Sequence, residues 1–204
     1  MIMSKQFSEE KEKVRLETFI DAILAIIITI LVLEFKVPEE AFSSDKEIKS
    51  FIWHLAPSFF SYGISFATII SLWVDHHFLF RTIQKVDIRF VFLNFVFILF
   101  LSPLPFTTAL AGRNYDSSYA VALVAINYFL MNLGFTFLWV YALRKKLIPD
   151  SVATANFFKR DTIISISGGL FLLISIPIAY VSPYISFALF IIVIIMHLYK
   201  PFFR

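Results

Sequence analysis

The chain contains no cysteine. Disulfides, thiolate metal sites, iron–sulfur clusters and cysteine nucleophiles are therefore excluded. Charge is also scarce: 16% of the 204 residues are Asp, Glu, Lys or Arg, against about 25% in a typical soluble domain. GxSxG, P-loop, dinucleotide-glycine and HExxH patterns are all missing. These absences argue against an enzyme, and the scarcity of charge argues against a nucleic-acid-binding protein. What is abundant is apolar mass. Hydrophobic residues make up 59%, Phe alone occurs 26 times, and the mean hydropathy is +0.80. This composition predicts an all-α integral membrane protein, a single domain over 1–204.

A helix needs about 20 mostly apolar residues to cross the hydrocarbon core. Six segments qualify, roughly 15–36, 51–80, 87–110, 118–143, 160–181 and 184–200. Polar stretches separate most of them. The last gap is only Ser182 and Pro183, which predicts a tight hairpin. The first stretch does not read as a cleaved leader, because it is too long for an h-region and no small-residue cleavage site follows it. With the N-terminus inside, every Lys and Arg except Lys36, Lys46, Lys49 and Arg113 falls on the inner side. The positive-inside rule then places both termini in the cytoplasm of a cell-membrane protein. The first outer loop is acid-rich (Glu34, Glu39, Glu40, Asp45, Glu47) and reads most simply as a solvated loop. No internal repeat divides the spans into matching halves, which weakens an inverted-repeat transporter reading.

Ionisable residues within spans are costly and face protein or water. Arg15 and Asp21 lie at the inner end of the first span. Asp75, His76 and His77 lie near the inner end of the second, and Asn94 in the third. Their similar depth predicts a buried network, Arg15–Asp21–His76/His77–Asn94. It admits two readings, a polar clamp that fixes helix positions and a proton or ion relay. The clamp is the simpler. His76 and His77 are adjacent and diverge by about 100° on a helix, so no metal site is expected. His54, His197, Trp53 and Tyr199 read as interfacial, and Asn127 and Asn132 as bonds between helices. Pro103, Pro105 and Pro177 should kink or end helices. Gly168-Gly169 reads as a close-packing point.

Within the first span, Ile26, Ile30 and Leu33 fall at i, i+4 and i+7 and form one narrow stripe. Thr29 lies about 60° to one side of Ile26. Periodicity alone makes this an ordinary membrane helix.

Four motifs go further. Arg15-Leu16-Glu17-Thr18-Phe19-Ile20-Asp21 resembles the RxxxFSD signature of the transmembrane-protein-175 family, the endosomal and lysosomal potassium channels and their prokaryotic relatives. Trp73-Val74-Asp75-His76-His77 resembles that family's second-helix W-x-x-H-H stretch. Asn94 fits the third-helix asparagine, and Pro103-Leu104-Pro105-Phe106 resembles the PF motif that ends that helix. One position departs: Ile20 stands where the family has Ser.

The resemblance implies a homotetramer of six-helix subunits whose first helices line a central pore. It implies a potassium channel, modestly selective over sodium, with a hydrophobic constriction and no TVGYG filter, and some family members pass protons. Ile26 would be the gate, with Ile30 and Leu33 extending the narrow stretch, and Thr29 the position associated with potassium preference. Arg15, Phe19, Asp21, His76, His77 and Asn94 would hold the pore helix. No cofactor is implied, and the partners are other copies of the chain, potassium and lipid, with no nucleic acid. The alternative from another class is a proton-coupled transporter with an Asp–His relay.

Overall fold

The computed structural model describes residues 2–153 and 156–200, with side chains from Glu10 onward except Phe157. Arg204, counted above among the inner cations, lies outside the described residues. All regular structure among the described residues is helical: α1 (Ile2–Val32), α2 (Asp45–His54), α3 (Ala56–Thr82), α4 (Ile88–Leu101), α5 (Leu104–Arg113), α6 (Ser118–Arg144), α7 (Asp150–Ala153), α8 (Asn156–Val181) and α9 (Pro183–Tyr199).

Four helical stretches are long and apolar enough to cross a membrane: Ala56–Thr82, Ile88–Arg113, Ser118–Arg144 and Phe158–Val181. The other two expected spans correspond to α9, apolar but only 17 residues long, and to α1, whose charges all precede Ala22. α1 starts well before residue 15, because nothing in 2–14 breaks a helix. It stops at Val32 rather than continuing to 36. Pro38 biases Val37 away from helical backbone, and the chain turns just after Val32.

The expected second span, 51–80, is divided. α2 ends at His54 and α3 starts at Ala56 with Pro57 in its first turn. Proline has no N–H to donate and its ring crowds the carbonyl four residues earlier, so one continuous helix is disfavoured here. α2 is a separate amphipathic helix with no buried residue. Its N-cap is Ser44, whose Oγ accepts from Glu47 N at 3.4 Å, while Glu47 Oε2 accepts from Ser43 N at 2.8 Å. This is close to a reciprocal capping box. Glu34, another acid of this loop, pairs with Arg113 at the start of the α5–α6 connection (3.7 Å).

The expected third span bends at Ser102-Pro103 into α4 and α5. Pro103 cannot donate to the Leu99 carbonyl, and Ser102 Oγ donates to it instead (3.1 Å). Asn127 of α6 braces the bend. Its Nδ2 donates to Phe100 O (2.6 Å) and its Oδ1 accepts from Thr107 Oγ1 (2.9 Å). The interhelical role expected of Asn127 is thus seen, and the carbonyl it satisfies lies at the bend. α8, by contrast, runs through Pro177 without ending.

α6 is the central helix, packing against α4, α5, α8 and α9. A Cβ added to Gly169 would lie 2.7 Å from Asn132 Oδ1 of α6, and one on Gly168 would lie 3.1 Å from His197 Nε2 of α9. The glycine pair is the close-packing point its sequence suggested. Only Ser182 separates α8 from α9, as the tight hairpin requires.

Candidate functional site

α1 has two unlike faces. Leu16, Ile20, Leu24, Ile27 and Leu31 are buried against the bundle, where α1 packs on α3, α4 and α5. This ridge follows the i, i+4, i+3 spacing of one helix face. Ile20, which stands where the family motif has Ser, is 0% exposed. Its side chain points into apolar packing and has no need of a hydroxyl. A second face carries Phe19, Ile26, Thr29 and Ile30, and Leu33 follows in the turn just past the helix end. Ile26 is 56% exposed, Ile30 38% and Leu33 70%. Thr29 Oγ1 donates to Ile26 O at 2.8 Å. Its proton is committed to its own helix, and its oxygen lone pairs remain directed outward.

At the other end of α1 the expected single network resolves into three separate contacts. Trp73 Nε1 donates to Asp21 Oδ1 (3.0 Å). His77 Nδ1 meets Glu17 Oε1 at 3.3 Å, and its ring stacks on Trp73. His76 Nε2 bonds Asn94 Oδ1 (3.1 Å), and Asn94 Nδ2 donates to Phe90 O (2.8 Å). With the Asn94 amide so oriented, His76 carries its proton on Nε2. His76 is fully buried between Phe80 and Phe97. Asp21 and His77 therefore share Trp73, while His76 and Asn94 form a pair of their own. Arg15 joins none of these: it is exposed and makes no hydrogen bond or ion pair with the described residues. It lines an open groove of about 780 Å³ with Phe19, Ile88, Val91 and Phe95. Phe19 meets Phe95 edge-on at 5.9 Å.

Sequence reasoning missed a second buried cluster. Asp75 Oδ2 accepts from Lys200 Nζ (2.7 Å) and from His197 Nδ1 (2.9 Å), and Lys200 Nζ also bonds Ser165 Oγ (2.9 Å). His197 is 4% exposed, which corrects its expected interfacial placement. Asp75 leaves the α1 cluster because adjacent helical residues point about 100° apart. One signal was legible. His197 and Lys200 are three residues apart at the end of an apolar helix, so they share a face that needed an anionic partner. Among the described residues no three His, Asp or Glu side chains converge in a way that could hold a metal ion.

A helical bundle with four apolar stretches long enough to cross a membrane, an exposed apolar stripe on α1 and polar contacts gathered towards one end of that stripe define an integral membrane protein. Residues 15–105 match the family model described as the endosomal/lysosomal potassium channel TMEM175. A potassium channel of Chryseobacterium sp. (strain P1-3) is 32% identical over 186 residues, covering 91% of this chain and 92% of that protein. The human endosomal/lysosomal proton channel TMEM175 is 30% identical over 152 residues, covering 70% of this chain and 30% of that protein. Among solved structures, the lysosomal potassium-selective channel TMEM175 homolog from Chamaesiphon minutus superposes with a TM-score of 0.78 at 26% identity, covering 93% of this chain and 98% of that one. The chain belongs to the TMEM175 family.

Proposed function

We propose that the chain forms a potassium-selective cation channel in the cell membrane, built as a homotetramer of six-span subunits with both termini cytoplasmic. In this reading α1 lines the central pore. It requires no enzymatic activity and no cofactor. The observation that carries it is the asymmetry of α1: Ile20, Leu24, Ile27 and Leu31 are buried among the described residues, whereas Ile26, Thr29, Ile30 and Leu33 are exposed. Four such faces around one axis would form rings of branched apolar side chains.

Ile26 is the gate in this reading, and Ile30 and Leu33 extend the narrow stretch. A ring of isoleucines closes by dewetting and opens with modest rotamer or helix shifts. Thr29 contributes hydroxyl oxygens beside the constriction. Potassium sheds its hydration shell at lower cost than sodium, so weak replacement coordination favours it. Asp21 and His77 tie the pore helix to α3 through Trp73 and Glu17, while the His76–Asn94 pair joins α3 to α4 beside it. Phe19 holds it by packing, and Arg15, uncovered within one subunit, acts at the groove.

A proton-coupled transporter needs a continuous Asp–His relay. The described contacts place Asp21 with Trp73 and Asp75 with Lys200 and His197, on separate clusters. The channel reading is tested by flux from purified protein in liposomes loaded with potassium or sodium. It expects fast, non-saturating potassium flux exceeding sodium flux. Saturable uptake that requires a proton gradient would replace it with the transporter.

A further inference from the structure

We propose that two hydrogen-bonded loops at the end of the bundle shared by Thr82, Ile88 and Arg144 form a binding surface for negatively charged phospholipid headgroups. The α6–α7 connection opens with a Schellman turn. Leu147 N bonds Ala142 O (2.9 Å), Lys146 N bonds Leu143 O (3.0 Å), and Lys146 has φ of 53°. This is the helix-terminating position at which glycine is the usual residue. Leu147 and Ile148 then anchor the turn in the core, each 3% exposed. Gln84 N of the α3–α4 loop donates to Leu147 O (2.9 Å) and joins the two loops.

Arg81, Lys85 and Arg89, on the α3–α4 loop or the helix ends beside it, and Arg144, Lys145 and Lys146, at the end of α6 and in its turn, are all exposed. None of the six forms an ion pair among the described residues. The nearby carboxylate of Asp87 accepts from Phe90 N and Tyr141 OH at 2.7 Å each. The six cations outnumber Asp87 and Asp150 of the same two segments, so the surface carries net positive charge on a hydrogen-bonded frame. Topology alone would be satisfied by cations anywhere in these loops. Here a lysine instead occupies a left-handed position that disfavours any side chain, and a hydrogen bond joins its turn to a second basic loop. The cations also sit at the ends of three membrane-length helical segments, where a spanning helix meets the headgroups. A lipid headgroup fits that position, since juxtamembrane cations are drawn to anionic lipid.

The test is native mass spectrometry of the purified full-length protein offered equal amounts of phosphatidylglycerol and phosphatidylcholine. Wild type is expected to retain phosphatidylglycerol preferentially. The Lys85→Gln/Lys146→Gly variant should lose that preference by roughly fivefold per cation removed. Glycine relieves the left-handed position, so Lys146→Gly should melt no lower than wild type, which separates lost binding from misfolding. Lys46→Gln/Lys49→Gln on α2 should leave the preference unchanged. Equal retention of both lipids by wild type, or an unaltered preference in Lys85→Gln/Lys146→Gly, overturns the proposal. Displacement of phosphatidylglycerol by inorganic phosphate at comparable concentration also overturns it, because the surface would then be a free-anion site.

Discussion

Lys200 Nζ lies 2.7 Å from Asp75 Oδ2, across 125 residues of sequence, and each side chain is only 1% exposed. This contact joins the end of α9 to α3. Removing one partner of a buried ion pair strands the other charge, which typically costs about 3–5 kcal/mol. Lys200→Met should therefore lower the thermal stability of the purified protein markedly. Asp75→Leu/Lys200→Met should recover much of the loss, because no charge remains buried. A double variant no more stable than Lys200→Met would show that the pair is not the source of the effect.

The α6–α8 contact makes a sharper packing prediction. A methyl at Gly169 meets the Asn132 amide oxygen at 2.7 Å. Gly169→Ala should cost roughly 1–3 kcal/mol through overpacking, and Asn132→Ala should relieve part of that cost. A double-mutant cycle on melting temperature measures the coupling. Strict additivity of the two changes would place the two helices further apart than the structure has them.

Asn127 supports the α4–α5 bend through the Phe100 carbonyl and the Thr107 hydroxyl. Asn127→Leu leaves the partly buried Phe100 carbonyl without this donor, a loss of about 1 kcal/mol. Thr107→Val removes only the weaker partner and should cost less. Melting curves of the two variants that reversed this order would contradict the brace.

Much of this was readable in the sequence, and the exceptions have physical causes. The stripe bearing Ile26 was singled out by the family resemblance; periodicity alone could not separate it from the buried ridge, because residues 22–33 are apolar all round. The division near Leu55 was not anticipated, although Pro57 marked it, because the apolar run continues through the break. Pairing was least legible. Composition places Asp75 beside His76 and His77, but direction along a helix sends Asp75 to Lys200 and His76 to Asn94. Arg15 carries the clearest motif and makes no hydrogen bond or ion pair with the described residues. Its groove opens on the same uncovered side as Phe19.

In the proposed channel, Thr29 is the residue whose change would separate selectivity from conduction. Its hydroxyl proton is bound to Ile26 O, so its free oxygen lone pairs are what a cation would meet. Thr29→Val keeps the shape and removes the oxygen. The potassium-to-sodium flux ratio should fall towards unity while potassium flux persists. A ratio equal to that of wild type would remove Thr29 from ion discrimination.

The most direct test of the pore assignment is the potassium flux of Ile26→Asn in liposomes, compared with wild type and with sodium loading. A hydrated amide ring cannot dewet as isoleucine does. Flux should rise on the order of tenfold, the effect of removing about 1.4 kcal/mol of barrier, and potassium preference should weaken. Wild-type flux and an unchanged ion ratio in Ile26→Asn would contradict the assignment of α1 as the pore helix gated at Ile26.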